Sequence, residues 1–217
     1  MKIDQISKPL IHYIHAPLGG VALIAGGVAL AVTKGSIIHK KSGKIFYYSM
    51  LLSAMTALII SFLPNHKSPF LFSIGVFSSY FLVSGYRSLN YKQKDIDITT
   101  DKIIAYLIVL TGLVMVIYPI ILYHRPSIIL TIFGIVGIIF GIRDLLLFSD
   151  KTQLNKYWLR LHLGKMTGGY IAAVSAFFVV NKILPGIWNW FVPGIIGGIF
   201  ITYWVRKVDK KKPLSHN

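Results

Sequence analysis

Seven stretches of this chain are each long and apolar enough to cross a lipid bilayer, and that leaves few folds open. They run Leu10–Thr33, Ile45–Leu63, Phe70–Leu89, Ile103–Tyr123, Ser127–Phe148, His162–Ile183 and Ile187–Val205. A hydrocarbon core of about 30 Å takes about 20 mainly apolar residues as a helix. In hydrocarbon every backbone polar group must be satisfied inside the segment, which for runs of this length means α-helix. Pro64 and Pro69 bracket one tight connection, Pro126 marks a second and Pro185-Gly186 a third, each where a helix must stop or start. The reading is therefore an all-α integral membrane bundle of seven transmembrane helices. It forms one domain over 1–217, with a basic tail at 206–217 and no long soluble segment.

Composition agrees with the spans. Charged residues make up 14% of the 217 positions, against roughly 25% in soluble domains. There is no cysteine, which excludes disulfides, thiolate zinc sites, iron–sulfur clusters and cysteine nucleophiles. Ala29-Leu30-Ala31 resembles a signal-peptidase site, but the apolar run before it exceeds a typical signal core, so it is read as a span.

The net charge of +16 would suggest nucleic acid in a soluble protein. Here the basic residues sit in short connections, which is the positive-inside pattern, and no nucleic-acid partner is expected. One side carries Lys34, Lys40, Lys41, Lys44, Arg87, Lys92, Lys94, Lys102, Arg143, Lys151, Lys156, Arg160, Arg206, Lys207, Lys210, Lys211 and Lys212. The other has Lys2, Lys8, Lys67, Arg125 and Lys182. That asymmetry puts the N-terminus outside and the C-terminus in the cytoplasm, with membrane lipids as the surrounding partner.

Small residues mark helix contact faces in lipid. Gly137-x-x-x-Gly141 and Gly194-x-x-x-Gly198 have that spacing, and Gly19, Gly20, Gly26 and Gly27 thin the first span. Packing inside the bundle accounts for such faces, and a homodimer through them is the other use. Tyr13, Tyr47, Tyr48, Tyr123, Tyr157, Trp158, Tyr203 and Trp204 fall near span ends, as interfacial anchors do.

Ionisable residues in or beside apolar spans point to function by default. His15 lies in the outer part of the first span, His39 begins the second helix, and His162 begins the apolar part of the sixth. His15-x-x-x-Gly19 and His39-x-x-x-Gly43 place a glycine one turn from each imidazole, on the same face. His15 and His39 are 24 residues apart, about 36 Å along a helix, so they lie at opposite membrane faces. His39 and His162 both fall at the cytoplasmic face and can share a ligand. Arg87, Arg143, Asp144 and Lys165 sit at similar depth and complete an expected inner-leaflet cluster. Alternatively Arg87 and Lys165 snorkel to the headgroups, and Asp144 makes a structural salt bridge to Arg87 or Arg143. His12, His66, His124 and His216 read as solvated, with His124 the best outer partner for His15. Asp95, Asp97 and Asp101 read as a solvated loop cluster.

These residues resemble a known family. Lys34-Gly35-Ser36-Ile37-Ile38-His39-Lys40-Lys41-Ser42-Gly43-Lys44-Ile45-Phe46, with Met50, is similar to a signature of the bacterial membrane family called domain of unknown function 2306. So are Ser84-Gly85-Tyr86-Arg87, Asp144, and the segment from Trp158 through His162, Lys165 and Gly169 to Asn181. The resemblance implies a multi-pass protein of the bacterial cytoplasmic membrane and brings no established reaction. A fainter likeness, carried by His39-x-x-x-Gly43, is to b561-type diheme membrane cytochromes. Those show two histidine pairs, whereas only His39 and His162 pair convincingly here.

Three functional readings stay open at the level of sequence. The first is haem b binding with electron transfer. His39 and His162 are its axial ligands, Arg87, Arg143 and Lys165 lie near the propionates, and His15 forms part of an outer site. The second is a metal-dependent lipid hydrolase or transferase in which His39, His162 and Asp144 hold a divalent ion such as zinc. The third is a proton-coupled small-molecule transporter or sensor lined by intramembrane charges. No phosphate-binding loop, nucleophile elbow or His-Glu-x-x-His motif is present.

Overall fold

Ser36 closes the first connection by accepting the His39 N–H at 3.1 Å, and from that cap a long helix rises. The computed structural model describes residues 9–64, 67–93 and 95–210. Seven helices follow in order. They are α1 (Ala16–Ala31, entered through a π-helical turn at Leu10–His15), α2 (Ile37–Phe62) and α3 (Pro69–Arg87, continued by a 3-10 turn at Ser88–Lys92). After these come α4 (Thr99–Tyr123), α5 (Ile128–Leu147), α6 (Lys151–Asn181) and α7 (Trp188–Lys210). All seven are long and apolar enough to cross a membrane, and no strand occurs among the described residues. The expected seven-helix fold is what forms. The readings placed on Lys2, Lys8, His66, Lys94, Lys211, Lys212 and His216 lie outside the described residues.

Three helices outrun their apolar spans, because caps rather than hydropathy set helix ends. The second span was expected from Ile45 on a helix begun at His39; Ser36 starts α2 at Ile37, two residues before His39, and Lys40, Lys41 and Lys44 ride on its first turns. The sixth was expected from His162. Asp150 instead starts α6 at Lys151, accepting the N–H groups of Gln153 at 3.1 Å and Thr152 at 2.9 Å. Those bonds hold the Asp150 carboxyl below the usual carboxylate range. At 31 residues, α6 is about 46 Å long and projects beyond a 30 Å core. The seventh continues to Lys210, so the first part of the expected tail is helix.

Helices α3 and α6 form the centre. Helix α3 packs on α2, α4, α5 and α6, while α6 packs on α1, α3, α5 and α7. The outward faces are apolar, as Leu107, Leu110, Val114 and Ile121 of α4 illustrate. A soluble surface would not show so continuous an apolar face. Glycines let two backbones touch in the α4–α5 pair. A Cβ on Gly134 would lie 2.7 Å from the Gly112 carbonyl, and one on Gly141 would lie 2.9 Å from the Ala105 carbonyl. The Gly137-x-x-x-Gly141 face is thus spent inside the bundle. Gly194 and Gly198 of α7 face open space, and α7 leans on the bundle through α6.

Candidate functional site

The connection between α1 and α2 turns the chain so that His39 meets the end of α1. Its Nδ1 is 2.9 Å from the Ala29 carbonyl oxygen. The His162 Nδ1, on α6, is 2.9 Å from the Gly85 carbonyl oxygen on α3. A carbonyl only accepts, so in both rings Nδ1 carries a hydrogen, and the tautomer this selects has its lone pair on Nε2. Metal-ligating histidines are held in this way, one nitrogen anchored to a carbonyl and the other left for the ligand. The α3–α6 approach needs Gly85 to lack a side chain, because a Cβ there would lie 3.0 Å from the Lys165 Cβ and 3.1 Å from the Met166 nitrogen.

His39 and His162 line one cavity of about 680 Å³, within the range of small-molecule and cofactor sites. Both histidines expected to share a ligand therefore face the same cavity. Aromatic side chains, among them Tyr86, Trp158, Tyr170 and Trp204, form much of the wall, and Gly26 and Gly43 line it without side chains. Five lysines also line it, namely Lys34, Lys40, Lys44, Lys92 and Lys207, and no carboxylate does. An apolar interior with a cationic fringe suits an anionic amphiphile.

The cations of this cavity are not the expected ones. Arg87, Arg143 and Lys165 are absent from its lining. Arg87 is committed to Asp101, with Nε at 2.9 Å from one carboxylate oxygen and Nη2 at 2.7 Å from the other. Lys165, 6% exposed, donates to the Asp144 carboxylate, which also accepts the Tyr80 hydroxyl at 2.6 Å. Arg143 is exposed while Asp144 is buried, as a step of about 100° between helix neighbours requires. The salt bridge expected of Asp144 exists, but its partner is Lys165 rather than Arg87 or Arg143.

A metal triad of His39, His162 and Asp144 is not assembled. Asp144 lies outside the cavity lining and is occupied by Lys165 and Tyr80. Among the described residues no group of three or more His, Asp or Glu side chains gathers for a metal ion. His15 also stands apart from the cavity. Its Nδ1 donates to the Ser53 carbonyl at 3.0 Å and meets the Thr56 hydroxyl at 3.1 Å. The π-helical turn that bears it packs on α1 and α2, whereas His124 caps the exposed end of α4 in left-handed conformation. The two do not form an outer pair.

Asp101 is the clearest miss. Expected in solvent, it is 2% exposed and accepts the Tyr91 hydroxyl at 2.7 Å besides Arg87. Its place in the first turn of α4, opposite an arginine ending α3, was the available signal. The fringe lysines were read for topology alone, although Lys40 and Lys44 repeat the spacing of His39 and Gly43 one position along. No family model, no curated protein and no solved structure matches this chain.

Proposed function

We propose that the protein binds one haem b between His39 and His162 and serves in electron transfer at the lysine-rich face of a membrane. By the positive-inside argument that face is cytoplasmic, in a bacterial inner membrane consistent with the resemblance to the domain of unknown function 2306 family. The observation that carries the reading is the pair of imidazoles on one cavity, each tied through Nδ1 to a backbone carbonyl. Two imidazole nitrogens without a carboxylate would serve to hold haem iron, whereas a catalytic zinc site takes a third protein ligand that Asp144 does not supply. Haem iron, when bound, supplies one-electron redox chemistry.

The chain's own residues orient and shield. The Ala29 and Gly85 carbonyls orient both rings through Nδ1 and leave each Nε2 for the iron. The aromatic wall would shield a bound haem from water, and the lysines would balance its acidic groups at the cavity's polar edge. The test is spectroscopic. Full-length protein expressed with ample haem supply, or titrated with haemin, is expected to show a Soret band and one haem per chain. His39→Ala and His162→Ala should each lose the six-coordinate low-spin spectrum. A wild-type chain that takes up no haem in either experiment overturns the reading.

A further inference from the structure

Two ammonium groups from distant parts of the chain converge on one indole. Lys34 Nζ lies 4.8 Å from the Trp204 ring centre and 5.9 Å from that of Phe200. Lys207 Nζ lies 4.7 Å from the same Trp204 ring and 5.7 Å from Tyr203. Lys34 comes from the α1–α2 connection and Lys207 from α7, and both line the cavity. Neither has a carboxylate, since the ion pairs among the described residues are Arg87–Asp101, Arg160–Asp209 and Lys165–Asp144. Asp209 is two residues from Lys207, yet it is turned to Arg160 at 2.5 Å. The nearby acid is thus used elsewhere.

Lys34 is also held in place. It donates to the Leu30 carbonyl and, at 3.3 Å each, to those of Ala29 and Val32, where the negative end of the α1 dipole favours it. Gly35, at φ +84°, gives the turn that folds Lys34 back over the helix end. Lysines that merely satisfy the positive-inside rule reach outward to headgroups. This one is half-buried, anchored, and set against the same indole as a second lysine. The Trp204 ring attracts both ammonium groups, and burial lowers the Lys34 ammonium from the usual lysine range. An anion at the cavity mouth would offset the cost of burying Lys34 and give Lys207 the acidic partner it lacks among the described residues.

We propose that Lys34 and Lys207 form an anion site at the mouth of the histidine cavity, taking the acidic group of an amphiphile whose apolar body fills it. The shared chemistry is a carboxylate or phosphate on an apolar, ring-compatible body. The inference rests on the haem reading where the acid is a propionate, and stands without it where the acid is a phospholipid phosphate.

The test uses full-length protein in phosphatidylcholine nanodiscs. It compares wild type with Lys34→Gln/Lys207→Gln, with the charge-retaining Lys34→Arg/Lys207→Arg, and with Lys102→Gln, whose lysine is outside the cavity lining. Each is titrated with haemin and with haemin dimethyl ester, in which the carboxylates are masked. The expected result is a loss of about tenfold in haemin affinity for the glutamine variant and none for the other two. The ester should bind all four proteins alike, at the affinity of the glutamine variant for haemin. In a second arm, haem-free proteins are placed in mixed phosphatidylglycerol and phosphatidylcholine, and retained lipid is read by native mass spectrometry. Preferential retention of phosphatidylglycerol, lost only in the glutamine variant, supports a phosphate source. If haemin does not bind but lipid retention follows the lysines, the haem reading falls and the anion site stands. If haemin binds all variants equally and retention is also unchanged, the anion site falls and the haem reading stands. Loss of binding in the arginine variant as well, with its melting temperature unchanged, also overturns a charge-based site.

Discussion

Two polar regions share the middle of α6 and are finished in opposite ways. On one side Lys165, Asp144 and Tyr80, and beside them Arg87, Asp101 and Tyr91, form buried clusters in which each carboxylate accepts from a cation and a tyrosine hydroxyl. On the other side His162 and His39 each anchor one nitrogen and keep the second, and five lysines line the space without a carboxylate. Saturated polar groups in a low-dielectric interior fix a structure. Nitrogens beside a cavity left without a partner among the described residues, as both histidine Nε2 atoms are, are open to something that is not protein. The contrast, rather than the mere presence of ionisable residues in a membrane, separates scaffold from site.

The largest effect that would break this contrast lies in the closed cluster. Lys165→Ala strips the buried Asp144 of its cation and should cost about 3–5 kcal/mol, measured as unfolding in detergent. Replacing the pair together, Lys165→Met with Asp144→Leu, should recover part of that: an apolar pair of similar volume removes both desolvation costs, while the Tyr80 hydroxyl loses its acceptor. Haem uptake by the double variant should match wild type. A silent Lys165→Ala would mean the cluster does not hold the fold, and the division of labour along α6 would fail.

A smaller effect is expected where the two regions touch. Gly85 lends its carbonyl to His162 and its missing side chain to Lys165 and Met166. Gly85→Ala forces α3 from α6 by a few tenths of an ångström and should cost about 1–3 kcal/mol as overpacking. It should also weaken the Nδ1–H bond of His162, visible as a shifted imidazole proton signal in nuclear magnetic resonance. Lost stability with an unmoved imidazole signal would show the two regions to be mechanically independent.

How much of this could be read from the chain follows from which physics is local. Hydropathy over about 20 residues is a local sum, so seven helices were legible. That His39 and His162 would lie at one end of the bundle was legible too, from the charge asymmetry, and both line one cavity. The helix start at Asp150 was missed, where a lysine-rich turn lowered the hydropathy that a cap then overrode. The partners of Asp144 and Asp101 depended on helix rotation and neighbour choice. Sequence spacing fixes rotation only relative to the same helix, so Lys165, Tyr80 and Tyr91 could not be chosen over Arg143. The fringe cations were hidden for a different reason. Their role in orientation was a sufficient account of lysine in a connection, and nothing local distinguished Lys34 from Lys41.

The smallest stability effect sharpens the contrast most. His39→Ala and His162→Ala each remove one imidazole-to-carbonyl hydrogen bond, with a net worth of about 0.5–1.5 kcal/mol. Each leaves a backbone carbonyl beside a cavity roomy enough for water to replace the donor. The ligand-free variants should therefore unfold only slightly more readily than wild type, far less so than Lys165→Ala. Haemin present at about 100 times its dissociation constant should then stabilise wild type by about 2.7 kcal/mol and leave both variants where they were. Ligand-free histidine variants as unstable as Lys165→Ala would make the imidazoles part of the core. The cavity would then be a packing defect between α1, α2 and α6, and its unsaturated nitrogens would have no claim on a ligand.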